Sequence, residues 1–256
     1  MNANRQLRVA TYNIHKCRGL DRKIMPERIA DVIRQLDADV ICLQEVVHAP
    51  GGSGVFNQAE QIGALLEGYT WSFGENRSLH GGGYGNMTLS RLPIVHAKNH
   101  DITHAKREER GVLQTDIAMD DGRVLHVFNA HLGTGYMERR HQAQHLLSER
   151  VLAQTGRAHP RLVLGDFNEW TRGLTTKLLR ESFQTMQPTH ALRIPRTFPG
   201  LLPLMTLDHV YYEDPLELQE TMLWRNRIAL VASDHLPLVA NFRVRDMSVE
   251  DHRTAS

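Results

Sequence analysis

The chain has 256 residues, of which 41% are hydrophobic, and its 30 basic and 29 acidic residues leave a formal net charge of +1. A chain of this length can bury a core without disulfides or metals, and the near-zero net charge excludes binding of long polyanions through a strong overall field. With no linker-like stretch and no internal repeat, we expect one domain over residues 1–256, with a core from about 8 to 244 between short flexible termini.

Strand-like and helical segments follow one another along the chain. Short apolar runs that alternate or end in polar residues predict eight strands, at 7–14, 38–46, 85–90, 111–119, 123–132, 161–167, 206–212 and 236–244. Helical periodicity predicts helices at 25–37, 57–68 and 137–156. The first places Ile29, Val32, Ile33 and Leu36 on one face, with Pro26 suited to its first turn.

A turn at 120–123, with the sequence DDGR, predicts a hairpin in the strand-rich middle of the chain. Because hairpins join antiparallel strands, this part of the chain argues against a purely parallel βαβ protein. We expect two packed sheets with helices outside them.

The two cysteines and the N-terminal segment bear on the cellular compartment in which the protein works. Cys17 and Cys42 are too few for a disulfide framework and lack zinc-ligand spacing, and Cys42 lies in an apolar run where a small core residue fits. The segment MNANRQLRV has no apolar core of a signal peptide, and no run is long enough to span a membrane. We expect a cytoplasmic protein, and no obligate protein partner is evident.

The ends of the predicted strands share a polar character. The residues concerned are Asn13, His15, Glu45, Asn129, His131, Asp166, Asn168, Asp208, Asp234 and His235. Any one of them is most simply a turn or cap residue, but burying a whole set of uncompensated polar groups is costly. Because strand side chains alternate, we expect Asn129 to share a face with His131, and Asp166 with Asn168.

The chemistry of this set favours a hard metal ion and proton transfer. Carboxylate oxygens with neutral amide oxygens suit Mg²⁺ or Mn²⁺, whereas zinc would call for cysteine or clustered histidine. His131 and His235 can donate or accept protons near neutral pH. Asp208 can pair with His235, which would fix its tautomer and favour the imidazolium. The set outlines a site for phosphate esters.

Seven motifs carry a resemblance to a known family. The segments TYNIH, LQEV, GNMTLSRLPI, FNAHLG, GDFN, LDHVY and SDHLP occur in the order found in the DNase I-like endonuclease/exonuclease/phosphatase superfamily. This group includes pancreatic-type deoxyribonuclease, apurinic endonucleases, neutral sphingomyelinases and inositol polyphosphate 5-phosphatases. The resemblance runs from about Arg8 to Val244 and implies a four-layer α/β/β/α sandwich. In that fold two mixed, mainly antiparallel sheets pack face to face, with the site at one edge.

The resemblance also implies a role for each motif residue. Glu45 would be the main metal ligand beside Asn13, and Asp234 a further ligand, directly or through water, for Mg²⁺ or Mn²⁺. Asp166 would orient or deprotonate the attacking water. Asn168 would hold a phosphate oxygen or the water. His235, paired with Asp208, would stabilise charge on the phosphate or transfer a proton. His131 would bond a non-bridging oxygen or protonate the leaving group.

Four further residues are candidate substrate contacts: Asn129, Arg110, Asn86 and His15. Arg110, in the segment EERGVL, could bind a phosphate oxygen or form a surface ion pair with Glu108 or Glu109. Asn86 could face the site or close a turn after GGGYG. His15 could line the pocket or lie behind it.

The histidine in FNAHLG resembles the deoxyribonuclease, sphingomyelinase and 5-phosphatase branches, and small bacterial members of about this length share the segment NIHK. We expect a Mg²⁺-dependent phosphodiesterase acting on nucleic acid, a phospholipid or a small diester. The absence of a long basic insertion favours a short or non-nucleic diester. The alternatives are a phosphomonoesterase of the same family and a non-catalytic protein that kept the fold to bind phosphorylated ligands.

Overall fold

A computed structural model describes residues 5–51, 57–79, 81–148, 150–155, 159–169, 173–185 and 196–245. The strands in these ranges are β1 Arg5–Asn13, β2 Val40–His48, β3 Thr70–Leu79, β4 Gly82–Ser90, β5 Ile94–Asp101, β6 Gly111–Ala118, β7 Val124–His131, β8 Arg161–Asp166, β9 Gln184–Thr185, β10 Asp208–Tyr212, β11 Leu216–Leu223 and β12 Leu238–Val244. The helices are α1 Pro26–Leu36, α2 Gln58–Leu65, α3 Tyr136–Leu147, α4 Leu174–Arg180 and α5 Ala229–Ala232, with short 3-10 turns at His15–Cys17 and Leu152–Thr155.

The strands form two six-stranded sheets. The first has the order β11-β12-β1-β2-β4-β3 and the second the order β5-β6-β7-β8-β10-β9. Only β1 with β2 and β7 with β8 pair in parallel within these sheets; the other strand pairs are antiparallel. Each sheet therefore has one parallel pair near its centre.

Three apolar clusters separate four layers. The cluster between the sheets contains Val9 and Val40 of the first sheet and Val127 and Leu164 of the second. A second cluster packs α1, α2 and α5 on the outer face of the first sheet. The third packs α3 and α4 on the outer face of the second sheet. The expected α/β/β/α sandwich with mixed, mainly antiparallel sheets is confirmed.

Helix α1 and the hairpin turn form where the sequence predicts them. Helix α1 begins at Pro26, and the four residues predicted to share its inner face are all fully buried. The turn at 120–123 joins β6 and β7 as a hairpin. Cys17 and Cys42 are both buried free thiols. None of the helices in the described ranges has the length and apolar character that crossing a bilayer requires.

The predicted helix at 137–156 is too long and is corrected by the structure. Helix α3 ends at Leu147, where Ser148 turns to an extended backbone conformation. The Ser148 hydroxyl donates to the carbonyl of His145 at 2.6 Å, so one carbonyl left free at the helix end is satisfied there. The next helical segment that the structure describes is the short 3-10 turn at Leu152–Thr155.

Candidate active site

The central strands of both sheets bring polar side chains to one edge of the sandwich. Asn13 is the last residue of β1, His131 of β7 and Asp166 of β8. In the second sheet, the strand register sets Asp166 beside His131 on one side and beside Asp208 on the other. The three side chains are therefore neighbours across three adjacent strands.

Asn13 joins the two sheets through its side-chain amide. Its Nδ2 donates to Glu45 Oε1 at 3.1 Å and to Asp166 Oδ2 at 3.0 Å. Its Oδ1 accepts the backbone N–H of His15 at 3.0 Å. Because the amide is buried and both of its Nδ2 hydrogens are bonded, it fixes the separation of two carboxylates that come from different sheets.

Glu45 is placed by an irregularity in β2. The pairing of β2 with β4 shifts register between Leu43 and Val46, and Glu45 adopts a left-handed φ of 60°. A non-glycine residue in this region costs about 1–3 kcal/mol and is found where function re-aims a side chain. The strain in β2 thus directs the Glu45 carboxylate toward Asn13, His131, Asp166 and Asp208, here called the strand-end cluster.

Lys16, which the motif analysis did not single out, also contacts Glu45. Its Nζ lies 2.6 Å from Glu45 Oε2. Burial raises the pKa of the Glu45 carboxyl. The charge that His131 carries at low pH, the charge of Lys16 and the hydrogen bonds from Lys16 and Asn13 outweigh burial and lower the pKa to about 2. The sequence offered one indication of this contact: Lys16 follows the candidates Asn13 and His15 directly in the chain.

Gly165 and Asn168 shape the turn that presents Asp166. Gly165 has a φ of 147°, and a Cβ there would lie 1.9 Å from the carbonyl oxygen of Ala130. Only glycine allows β8 to approach β7 so closely. The Asp166 Oδ1 then accepts the backbone N–H of Asn168 at 2.9 Å, and Asn168 Nδ2 donates to Leu132 O at 2.9 Å.

The predicted reason for the proximity of Asp166 and Asn168 was wrong. Strand β8 ends at Asp166, and Asn168 has a left-handed φ of 48°, so strand alternation does not apply to it. The two residues are held together by the turn, in which the carboxylate accepts a backbone N–H two residues on. Asparagine tolerates this backbone conformation better than most residues.

Asp208 and His235 form the expected acid–imidazole pair. Asp208 Oδ2 lies 3.0 Å from His235 Nδ1, and both side chains are buried. Burial opposes protonation of His235, but the carboxylates of Asp208 and Asp166 outweigh it and raise the pKa of His235 to about 10. His235 is therefore an imidazolium at neutral pH, with Nδ1–H on Asp208 and Nε2–H directed into the site.

His131 has the opposite protonation state. Arg110 Nη1 lies 3.1 Å from His131 Nδ1, and Arg110 Nη2 donates to Glu108 Oε2 at 2.8 Å. The same Nη1 lies 3.3 Å from His131 Nε2. Because a guanidinium can only donate, a ring nitrogen that accepts from it must be unprotonated. Burial and the Arg110 charge lower the pKa of His131 to about 4. Arg110 forms the ion pair with Glu108 that was considered as an alternative, but the Arg110 side chain is buried and only that of Glu108 is exposed.

Asn129 and Asn86 lie between the sheets, not at an open surface. Asn129 Nδ2 donates to the carbonyls of Leu43 and Met87, and its Oδ1 accepts from Gln44 Nε2 at 2.8 Å. Asn86 lies within β4, not in a turn, and its Nδ2 donates to the carbonyls of Gly111 and Asn129. Both side chains are buried and tie backbone segments together, and their role as substrate contacts stays a prediction.

His15 and Asp234 form the more exposed side of the site. His15 Nδ1 lies 3.6 Å from Asp234 Oδ1, and about a third of each side chain is exposed. His15 lies in the 3-10 turn with a left-handed φ of 45°, directly after the β1 strand end. Asn13 holds both segments in place. Its Oδ1 accepts the backbone N–H of His15, and its backbone carbonyl accepts a hydrogen bond from Ser233 Oγ, next to Asp234.

The donor set fits a hydrated hard cation. No three His, Cys, Asp or Glu side chains within the described ranges are arranged to hold a metal ion by themselves. Mg²⁺ needs no such cage, because it uses one or two carboxylates and keeps several water ligands. The Lys16 ammonium on Glu45 already shows that this carboxylate attracts positive charge. Oxygen donors at Glu45, with Asn13 and Asp234 in the same cluster, match that chemistry and not that of zinc.

Comparison with known proteins gives consistent matches. Residues 10–235 match the model of the endonuclease/exonuclease/phosphatase family. The uncharacterized protein YbhP of Escherichia coli is 33% identical over 250 residues, which cover 93% of this chain and 96% of YbhP. This match confirms the expected similarity to small bacterial members.

Solved structures share the fold. The endonuclease/exonuclease/phosphatase from Bacteroides vulgatus has a TM-score of 0.75 at 16% identity, over 94% of this chain and 100% of that chain. The mannosyl-6-phosphatase of Bacteroides thetaiotaomicron has a TM-score of 0.75 at 18% identity, over 92% of this chain and 99% of that chain. At such identities these matches establish the sandwich architecture and not a substrate.

Proposed function

The chain belongs to the endonuclease/exonuclease/phosphatase family, and from this premise we propose that it is a divalent-metal-dependent phosphoesterase that hydrolyses phosphodiesters. One observation carries the proposal: three groups converge on Asp166 Oδ2. Asn13 Nδ2 donates to it at 3.0 Å, and the Nε2 atoms of His131 and His235 each lie 3.7 Å from it.

The Asp166 carboxylate is not hydrogen-bonded to either histidine. A separation of 3.7 Å is too long for a hydrogen bond, so neither imidazole is consumed by the carboxylate. Asp166 itself is fixed by Asn13 and by the backbone N–H of Asn168. It can therefore accept a hydrogen bond from water and hold that water toward phosphorus.

The two histidines suit different parts of the reaction. The His235 imidazolium, held by Asp208, can donate to a phosphate oxygen as negative charge develops there. The neutral His131 can bond a second oxygen or relay a proton at the leaving group. Positioning and charge stabilisation are the two contributions on which phosphoryl transfer mainly depends.

Glu45, with Asn13 and Asp234, would hold the cation, for which Mg²⁺ is the best fit and Mn²⁺ an acceptable one. A bound divalent cation would neutralise charge on the phosphate oxygens. Lys16 would yield Glu45 Oε2 to that cation, and its ammonium would remain near enough to attract an anionic substrate.

The test is turnover of bis(4-nitrophenyl) phosphate beside 4-nitrophenyl phosphate, with Mg²⁺, with chelator, and with Asp166→Asn. We expect diester cleavage that chelator abolishes and that the substitution lowers by about 10²–10⁴-fold. Asp121→Asn is the matched control, because this exposed aspartate lies in the hairpin at the other end of β7 and pairs only with Arg123 among the described residues.

Other outcomes identify the alternatives. Preference for the monoester would favour a phosphatase, the activity named for the Bacteroides thetaiotaomicron neighbour. Binding of Mg²⁺ and inorganic phosphate with no turnover of either ester would favour the non-catalytic binding protein.

A further inference from the structure

A small hairpin beside the site, here called the leucine hairpin (residues 198–205), has an unusual tip. Phe198 and Met205 pair as an antiparallel bridge, with backbone bonds of 3.1 Å and 2.8 Å between them. The six residues between them read PGLLPL. The hairpin thus presents an almost wholly apolar turn.

The leucines of this turn face solvent. Leu201 is 65% exposed, Leu202 67% and Leu204 59%. Single exposed apolar residues are ordinary, but three large ones within four positions form a cluster of the kind that marks an interaction surface. The cluster requires a partner that accepts aliphatic side chains.

The base of the leucine hairpin is fastened to the Asp208–His235 pair. The Phe198 ring lies 4.9 Å from the His235 ring, and Gly200 N–H donates to the Asp234 carbonyl at 2.6 Å. On the other side, Thr197 Oγ1 accepts the backbone N–H of Asp208 at 3.4 Å. A partner that binds the leucine tip therefore lies close to the site.

Arg225 contacts the apolar tip, and Arg196 and Arg227 lie close to Phe198 and to Arg225 in the sequence. Arg196, Arg225 and Arg227 are exposed, and none has a carboxylate partner within the part of the chain that the structure describes. Arg225 Nη2 donates to the carbonyl of Leu201 at 3.4 Å, which brings its charge to the tip. Ile228 and Val231 add exposed apolar surface just after this basic segment.

An apolar tip bonded to an exposed arginine, with two more exposed arginines close in the sequence, matches an anionic lipid surface. Aliphatic side chains gain free energy by entering the acyl boundary, and arginines gain it from anionic headgroups. Nucleic acid would use the arginines but takes aliphatic side chains only as wedges between base steps, and not as a cluster of three leucines. A second copy of the chain would bury the leucines but would bring like charges together.

We propose that the leucine hairpin docks the protein on anionic membranes and presents the site to the phosphodiester of a phospholipid headgroup. The inference rests on the proposed phosphoesterase function and names its substrate class. Docking needs only the hairpin and the arginines, whereas hydrolysis also needs the strand-end cluster, so the two parts can be tested separately.

The test is co-sedimentation with vesicles of phosphatidylglycerol and phosphatidylcholine, or of phosphatidylcholine alone, for wild type, Leu201→Ser/Leu202→Ser, Val95→Ser and Asp166→Asn. Val95, which is 59% exposed on β5, is the matched control. We expect wild type, Val95→Ser and Asp166→Asn to bind anionic vesicles equally. The double variant should bind about tenfold or more weakly, because two aliphatic side chains no longer enter the bilayer.

Hydrolysis separates the two proposals. The double variant should keep wild-type turnover of bis(4-nitrophenyl) phosphate and lose turnover of vesicle phospholipid. Vesicle binding that the double substitution leaves unchanged, or no binding by wild type, overturns the docking role. Tighter binding of wild type to duplex DNA than to anionic vesicles at the same salt overturns the choice of a bilayer. If the protein docks and cleaves bis(4-nitrophenyl) phosphate but not vesicle phospholipid, the substrate class alone is overturned. If it docks but cleaves neither ester, the proposed function is overturned and the docking role stands.

Discussion

His131 and His235 each place Nε2 3.7 Å from the same oxygen, Oδ2 of Asp166, yet their pKa values move in opposite directions. Burial lowers both. At His131 the Arg110 guanidinium lowers the pKa further, to about 4. At His235 the carboxylates of Asp208 and Asp166 reverse the effect of burial and raise the pKa to about 10. Two titratable groups driven apart in this way indicate an acid and a base in one site.

The first prediction concerns these two titrations. In protein without added divalent metal, ¹⁵N NMR of the imidazoles should show His131 titrating near 4 and His235 near 10. Asp208→Asn removes the carboxylate bonded to His235 Nδ1, so the pKa of His235 should fall while that of His131 changes little. Titration of both rings near 6.5 would contradict the opposed environments.

The second prediction is the pH dependence of stability that follows. The pKa of His235 is raised on folding, so its contribution is complete below about 6.5 and is lost as pH rises to about 10. The pKa of His131 is lowered on folding, so its contribution is complete above about 6.5 and is lost as pH falls to about 4. The two together should be most favourable near pH 6.5.

Urea midpoints of wild type and of the double variant His131→Gln/His235→Gln, measured across this pH range, isolate that contribution. The difference between the two proteins should be largest near pH 6.5 and decline on both sides. A difference that stays flat with pH would show that neither histidine changes protonation on unfolding.

The fold shows what a sequence pattern can and cannot predict. All eight strands predicted from apolar patterns are interior strands of the two sheets. The four that were missed, β3, β5, β9 and β11, are the four sheet edges. Strand β5, with the sequence IVHAKNHD, is mostly exposed. An edge strand pairs on one side only and can carry polar residues on both faces, so it leaves no apolar period to detect.

The site shows the same division between local and long-range information. Strand ends and motifs located Asp166 and His235, which end or adjoin buried segments, whereas Glu45 lies inside β2, which continues past the predicted end to His48. The contact of Lys16 with Glu45 depends on a 3-10 turn with left-handed φ angles, which no period in the sequence reports. Asn129 resembled a site residue because it precedes His131 on the same face, but its depth between the sheets is a property of packing.

The third prediction concerns Asn129. Asn129→Ala removes hydrogen bonds to the carbonyls of Leu43 and Met87 and to Gln44, and leaves those buried groups without partners. The free energy of unfolding should fall by about 2–4 kcal/mol. We expect the KM for the diester to stay unchanged, because both ends of the Asn129 amide are bonded within the protein.

Urea denaturation and steady-state kinetics measure the two effects. Asn241→Ala is the control, since its amide bonds Glu220 at an exposed position and should change stability by less than about 0.5 kcal/mol. A several-fold increase in KM for Asn129→Ala, with stability unchanged, would support the role of substrate contact.

The fourth prediction concerns Lys16. A metal ion and the Lys16 ammonium compete for the Glu45 carboxylate, so Lys16→Met should bind Mg²⁺ up to about tenfold more tightly. Isothermal titration calorimetry measures this directly. Lys23→Met is the control, because Lys23 is exposed and its side chain has no carboxylate partner within the described residues. Weaker Mg²⁺ binding by Lys16→Met would mean that Lys16 orients Glu45 and does not compete.

The last prediction concerns Arg110, which separates His131 from Glu108. Arg110→Gln removes a buried positive charge and a group that can only donate to His131, so the pKa of His131 should rise from about 4 toward 6.5. If the neutral imidazole is the active form, the acidic limb of kcat/KM must move to higher pH by the same amount. Arg77→Gln is a close control, since Arg77 also pairs with Glu108, at 3.2 Å, with no hydrogen bond to His131. An equal shift in both variants would assign the effect to Glu108, and an unchanged His131 pKa in Arg110→Gln would remove Arg110 from the control of its protonation.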